Sequence, residues 1–105
     1  MSDKYKILWQ DEAYVNLLTI SEEIEKVSCS VEIANNIISM IYERIVALSD
    51  FPYRYPIYPD RPSFRRMVVN RDYCVYYRVI EEPYKIVRVS NILRSAADAP
   101  RHIVI

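Results

Sequence analysis

Three stretches rich in valine, isoleucine and tyrosine follow one another in the second half of this 105-residue chain, and they constrain its fold more than any other feature. They occupy residues 65–69, 73–79 and 86–89, and each carries at least one arginine. β-Branched and aromatic residues favour strands. The gaps between the stretches are too short to hold a helix, so the strands are expected to pair antiparallel as a meander.

The first half of the chain is typical of one strand and two helices. Residues 4–9 alternate in polarity, which predicts a strand. Helical spacing follows, with apolar residues at Tyr14, Leu17, Leu18, Ile24 and Val27. After a break at residues 28–30, where Ser30 suits an N-cap, a second helix is predicted over about 31–48. Its apolar side comprises Ala34, Ile37, Ile38, Ile41, Ile45 and Leu48.

This order of elements predicts an α+β fold, β-α-α-β-β-β, in which a helical hairpin packs on a four-stranded antiparallel sheet. The short break between the helices makes them antiparallel neighbours, and their shared apolar stripe has to be covered by the sheet. The first strand is expected to return to that sheet. Residues 51–62 contain four prolines and predict an extended loop over a sheet edge. One domain over residues 1–105 accounts for the whole chain.

Composition excludes several classes of function. The chain has no glycine, so it lacks the glycine-rich phosphate loops of nucleotide-binding enzymes. Its two cysteines, Cys29 and Cys74, have no metal-like spacing and a single histidine, His102, beside them, so we expect no metal site and no cofactor. No apolar run approaches the roughly 20 residues that span a bilayer, and no signal peptide is evident, so a cytoplasmic protein without membrane contact is expected.

The charge is divided between the two halves. Residues 1–50 hold 4 basic and 9 acidic side chains, whereas residues 51–105 hold 10 basic and 5 acidic ones, although the net charge is zero. The sheet half can therefore present a cationic face to an acidic partner. Proteins that bind nucleic acid through long-range attraction more often carry a large net positive charge, so the division favours a local anionic partner.

Five segments together resemble the RelE/ParE superfamily, the toxins of bacterial type II toxin–antitoxin modules. Residues 5–9 are similar to the family's first strand, and residues 48–55 to its exit from the second helix. Residues 65–69 and 72–79 resemble its arginine-led strand and the Tyr-x-x-x-Tyr-Arg-Val strand that follows. Residues 92–98 resemble its closing segment. The resemblance implies a toxin that is inactive while a cognate antitoxin wraps it.

The resemblance implies one of two activities. ParE-like members poison DNA gyrase without being nucleases, whereas RelE-like members cleave mRNA on the ribosome. The neutral net charge and the pattern of residues 73–79 favour the ParE-like branch. Ribosome-dependent mRNA cleavage is the alternative, and a non-toxic α+β binding module that kept only the fold is a further one.

Candidate catalytic residues for the nuclease alternative are Arg65, Arg66 and Arg94, whose guanidinium groups suit a phosphate. A nuclease also needs a proton-transfer group. RelE-like enzymes generally place an arginine where this chain has Cys74, or Tyr73 if the register slips by one, and His102 is expected to be an exposed tail residue. Enzymatic activity is therefore left open, with binding favoured over catalysis.

Candidate partner-binding residues are Arg65, Arg66, Tyr73 and Arg94. An acidic helix or strand of the antitoxin is expected against the surface near the fourth strand and the proline-rich loop. Consecutive strand positions place Arg65 and Arg66 on opposite faces. In the alternative interpretation these arginines pair within the sheet surface, with Asp60, Asp72, Glu81 or Glu82. Arg78 and Arg88 are expected on a solvated face, and the tyrosines at 73, 76 and 77 in packing roles.

Overall fold

The computed structural model of the chain describes residues 4–94 and confirms the α+β fold and the element order. The elements are β1 (Lys6–Trp9), α1 (Asp11–Ser28), α2 (Val31–Val46), a 3-10 turn (Ala47–Ser49), β2 (Arg65–Val69), β3 (Tyr73–Ile80) and β4 (Ile86–Leu93). The sequence of residues 95–102 is compatible with one helical turn, but these residues, His102 among them, lie outside the described part of the chain.

The four strands form one sheet in the order β1-β4-β3-β2. β2, β3 and β4 are the predicted antiparallel meander, and β1 joins the sheet as expected. The sheet is mixed rather than wholly antiparallel, however, because β1 pairs parallel with β4. The backbone N–H of Tyr5 donates to the carbonyl of Ser49, so the helices return the chain to the end where β1 begins. β2 therefore runs in the same direction as β1, and the two reversals of the meander leave β4 parallel to β1.

Local signals place both helices where the sequence predicts them. α1 begins with Asp11 and Glu12, whose charges favour the positive end of the helix dipole. It ends at Cys29, which adopts a left-handed conformation with φ of 56°. The Ser30 side chain then accepts a hydrogen bond from the backbone N–H of Ile33 at 3.1 Å, so it caps α2 as predicted.

The helical hairpin covers one face of the sheet. The predicted apolar side of α2 is confirmed, with Ile41 and Ile45 fully buried. The predicted side of α1 is partly wrong. The side chains of α1 that pack into the core are Ala13, Leu17, Ile20 and Ile24. Ala13 and Leu17 each precede by one residue the predicted core positions Tyr14 and Leu18. The side chains left exposed are Tyr14 (56%), Leu18 (63%) and Val27 (80%). Both stripes have helical spacing, and only the position of the sheet decides which one is covered.

The proline-rich loop covers part of the other face of the sheet. It is irregular as predicted, with one isolated bridge between Ile57 and Arg65. Tyr58 and Phe64 pack from the loop against Cys74 and Tyr76, forming a second, smaller apolar cluster. Within residues 4–94, the sheet thus has a helix-covered face and an opposite face that only the loop covers, and in part.

Candidate functional site: an arginine-bearing sheet face

The four predicted partner-binding residues do not form one site. Arg65 pairs with Tyr77 near one end of the sheet, whereas Tyr73 and Arg94 lie at the other end, where Cys74 pairs with Leu93. Tyr73 and Tyr77 are four positions apart along β3, a span of about 13 Å. The structure therefore divides the predicted site into two.

Arg65 organises the proline-rich loop. Its Nη1 donates to the carbonyl oxygen of Tyr55 at 2.7 Å, and its guanidinium lies 4.9 Å from the centre of the Tyr53 ring. A charge-assisted bond to a backbone carbonyl holds the loop against β2. These contacts give Arg65 a structural role on the helix-covered side of the strand.

A polar network lies beside Arg65 at the same end of the sheet. The hydroxyl of Tyr5 donates to the Glu81 carboxylate at 2.6 Å, and the hydroxyl of Tyr53 donates to the same carboxylate. These hydrogen bonds, that of Tyr5 first, hold the pKa of Glu81 below its usual range and raise the pKa of both tyrosines. The network ties the start of β1, the loop and the β3–β4 turn together, and it is exposed to solvent.

Arg66 lies on the opposite face, as the alternation predicts. Its guanidinium is 5.0 Å from the centre of the Tyr58 ring, and Arg66 pairs with Tyr76 across the strands. Arg78 follows two residues after Tyr76 on the same face, with its guanidinium 5.9 Å from the Phe64 ring centre. Arg78 is in turn directly opposite Arg88 of β4. We call Arg66, Tyr76, Arg78 and Arg88 the arginine face.

The arginines of this face have no carboxylate partner within the described residues. Over residues 4–94 one ion pair lies within 4.0 Å, between Lys4 and Asp50 at 3.6 Å. The predicted pairing of Arg65, Arg66 or Arg94 with nearby acidic residues is therefore not observed. The prediction that Arg78 and Arg88 lie on an ordinary solvated face is also wrong, because both are half-buried. Like charges directly opposite across strands are destabilising.

Several buried polar side-chain atoms have no hydrogen-bond partner in the described structure, and three of them belong to Arg88, Ser90 and the neighbouring Gln10. Within residues 4–94 these atoms are Gln10 Oε1, Tyr76 OH, Arg88 Nε and Ser90 Oγ. Leu8 pairs with Arg88, so Gln10 lies two positions further along, beside Ser90, and Ser90 is the extra residue where the β3–β4 register shifts. Each unpaired group costs about 1–3 kcal/mol. Because native structures pair most buried polar groups, these atoms require a partner such as a water or a bound ion.

Sequence reasoning missed this cluster because each residue has an ordinary explanation alone. Arginine in mid-strand is usually solvated, and a single serine in a strand carries no signal. The available clue was the polar run of Arg88, Ser90 and Asn91 in an otherwise apolar fourth strand. The pairing of Arg78 with Arg88 depends on register, which the sequence does not specify.

The tyrosines of β3 are not proton-transfer groups near neutral pH. The hydroxyl of Tyr77 is buried and donates to the carbonyl of Pro52 at 2.7 Å, and burial raises the pKa of Tyr77 to about 12. Burial also raises the pKa of Tyr76, and Arg66, which acts in the opposite direction, lies near its hydroxyl without the geometry of a hydrogen bond. Residues 4–94 contain no histidine. The described arrangement can bind an anion.

Arg94 borders two grooves at the other end of the sheet, and Tyr73 lines the smaller of them. One has a volume of about 400 Å³ and lies between α1 and the end of β4, and the other has about 170 Å³; Glu23 and Arg94 line both. Tyr73 is buried, which raises its pKa, and the charge of Arg94 opposes that shift. Tyr73 is thus mainly a packing residue, and Arg94 stays on the exposed rim.

An exposed aromatic patch lies on the helical side. Trp9 stacks between Tyr14 of α1 and Tyr42 of α2, with ring centres 5.0 and 6.0 Å apart. Leu18 and Val46 extend the patch by one turn on each helix, and all four helical side chains are more than 40% exposed. We call these five residues the aromatic patch.

The fold matches a chain of a solved toxin–antitoxin complex. The structure titled "Chromosomal ParDE TA system from P. aeruginosa" contains a chain that aligns with 90% of this chain and 99% of its own length, with a TM-score of 0.75 and 21% sequence identity. The chain has a ParE-like fold. The resemblance to the ParE branch is thereby confirmed at the level of the fold. No protein-family model and no curated protein matches the sequence.

Two further findings concern the described part of this ParE-like chain. Neither helix within residues 4–94 is both long and apolar enough to cross a membrane. Over the same residues, no group of three or more His, Cys, Asp or Glu side chains is arranged to hold a metal ion.

Proposed function

We propose that this chain is the toxin of a type II toxin–antitoxin module and that a cognate antitoxin protein neutralises it. The observation that carries the proposal is the match, over 90% of this chain and 99% of the other, with a chain of a ParDE system. Fold alone does not specify function, so the surface has to support the proposal as well.

The aromatic patch supports a protein partner. Monomeric soluble proteins rarely leave large contiguous apolar surfaces exposed, and aromatic residues are enriched at interfaces. Here Tyr14 and Tyr42 are 56% and 52% exposed on either side of Trp9. An antitoxin segment bound to this patch would shield its apolar side chains from water.

The proposed action is growth arrest through binding of a macromolecular target in the cytoplasm. DNA gyrase is the first candidate, on the resemblance to ParE. The described residues support binding over bond cleavage, because the arginines lack a nearby group with a pKa suited to proton transfer.

Ribosome-dependent mRNA cleavage is the second candidate, and the arginine face is the observation that favours it. Three guanidinium groups on one sheet face, two of them directly opposite each other, suit the charge of a phosphodiester backbone. Cleavage by this face requires a proton-transfer group from outside residues 4–94.

Inducible expression in bacteria, with and without the neighbouring gene, tests the proposal. We expect growth to stop when the chain is expressed alone, and to resume when the neighbour's product co-purifies with it. Loss of DNA supercoiling then indicates gyrase, whereas new mRNA 5′ ends indicate cleavage. Normal growth together with no captured neighbour would leave only the non-toxic binding module.

A pair of variants locates the antitoxin. Leu18→Glu introduces a charge into the aromatic patch at an exposed position, so we expect weaker capture of the antitoxin with the fold intact. Tyr84→Glu makes a similar change at a 73% exposed position in the β3–β4 turn, and we expect unchanged capture. Equal capture by both variants would place the antitoxin elsewhere.

A further inference from the structure

The arginine face has a feature that antitoxin capture by the aromatic patch leaves unexplained. Arg78 and Arg88 are cross-strand partners, half-buried and of like charge, in a part of the structure where neither contacts a carboxylate. Like charges at directly opposite strand positions are destabilising, and an anion bound by both arginines offsets that cost. The pair is therefore arranged for an anion supplied from outside residues 4–94.

The side chains beside Arg88 add unpaired polar atoms to the pair. Arg88 Nε is buried without an acceptor, and the hydroxyl of Ser90, two positions further along β4, is buried without a partner. The Arg78 guanidinium lies 5.9 Å from the centre of the Phe64 ring, which restricts its position. The Tyr76 hydroxyl lies beside Arg66 and Cys74 and is not part of this group.

The aromatic rings on this face indicate which anion is favoured. Single-stranded nucleic acid binds by stacking its bases on exposed aromatic side chains. On this face Phe64, Tyr58 and Tyr76 are all less than 5% exposed, so they offer no surface for a base. A planar carboxylate needs no exposed ring, because it binds the guanidinium group directly through paired hydrogen bonds.

We propose that the Arg78–Arg88 pair is the docking site for an acidic polypeptide segment, with an aspartate or glutamate carboxylate bound between the two guanidinium groups. The inference deepens the proposed function, because such a segment is what an antitoxin would place on the sheet while another part covers the aromatic patch. It assigns the recognition to Arg78 and Arg88 rather than to Arg65, whose guanidinium already holds the loop.

Titration of the full chain with poly-L-glutamate, followed by NMR of the backbone amides, tests the site without any antitoxin. We expect shifts concentrated in β3 and β4 around Arg78 and Arg88, and binding that weakens as salt is raised. The double variant Arg78→Gln/Arg88→Gln should lose about tenfold or more in affinity. The control Arg71→Gln removes the same charge in the exposed β2–β3 turn and should change affinity by about twofold at most.

Arg88→Lys distinguishes recognition by the planar guanidinium group from attraction by its charge. The lysine keeps the positive charge but lacks the planar, two-pronged donor group. We therefore expect Arg88→Lys to lose most of the poly-L-glutamate affinity that the single variant Arg88→Gln loses. The lysine variant also keeps the test valid if the double variant fails to fold. Equal loss in Arg71→Gln, shifts spread over the helices, or tighter binding of a short single-stranded RNA at the same amides would each overturn the inference.

The two proposals fail separately. If the neighbouring gene product is not captured while poly-L-glutamate still binds at Arg78 and Arg88, the toxin assignment is lost and the acidic-segment site stands. If the antitoxin is captured equally well by the wild type and by Arg78→Gln/Arg88→Gln, the toxin assignment stands and the site is refuted as its docking surface.

Discussion

Tyr76 and Tyr77, which are adjacent on β3, provide a sharp test of the structure. Removing the hydroxyl oxygen is expected to lower stability at Tyr77 but not at Tyr76. Tyr77 and Tyr76 are both fully buried. The hydroxyl of Tyr77 donates to the carbonyl of Pro52 at 2.7 Å, whereas the hydroxyl of Tyr76 has no partner. Replacing either by phenylalanine keeps the ring and deletes one oxygen. The difference between the two variants therefore isolates the hydrogen bond.

The expected magnitudes follow from the cost of an unpaired buried group. Tyr77→Phe leaves the buried Pro52 carbonyl without its donor, so the free energy of unfolding should fall by about 1–3 kcal/mol. Tyr76→Phe removes a group that is already unpaired, so the free energy of unfolding should stay the same or rise by up to about 1 kcal/mol. The Tyr76 ring keeps its edge-on contact with Tyr58 at 5.2 Å.

Urea unfolding measures both variants against the wild type. We expect parallel transitions with equal slopes, displaced to lower urea for Tyr77→Phe and unchanged or displaced to higher urea for Tyr76→Phe. The melting temperature should shift in the same directions, by about 4–8 °C for each kcal/mol of change in the free energy of unfolding. Equal destabilisation, or the reverse order, would refute the assignment of these two hydroxyls.

The remaining predictions concern the loop, the α1–β4 contact and alkaline pH. Arg65→Gln should lower the free energy of unfolding by about 1–2 kcal/mol and speed proteolysis of the proline-rich loop, because a charge-assisted bond is lost; the exposed Arg71→Gln should do neither. Asn16→Ala should cost about 1–3 kcal/mol, with faster amide exchange at the end of β4, since its Oδ1 accepts two hydrogen bonds there at 3.0 Å. An equal loss in the exposed Asn35→Ala would contradict that reason. The Tyr77 pKa of about 12 exceeds its unfolded value of 10.0, so urea unfolding should show stability falling as pH rises from 10 to 12, with a shallower fall in Tyr77→Phe.

The sequence determined the elements because their signals are local. Ser30 caps α2 through a bond to an amide three residues away, the spacing of apolar residues defines α2, and the prolines exclude regular structure from the loop. The meander followed from gaps too short for any other connection. Tyr73, Tyr76 and Tyr77 were expected in packing roles, and all three are buried.

Tertiary structure alone decided the direction of β1, the covered side of α1 and the site. The parallel pairing of β1 depends on where the helices return the chain, and the exposure of Leu18 depends on where the sheet lies. The Arg78–Arg88 pair exists only in one register, and a one-residue shift would move either side chain to the other face. Residue types and spacing act over a few positions, whereas these three features depend on contacts between segments far apart in the chain.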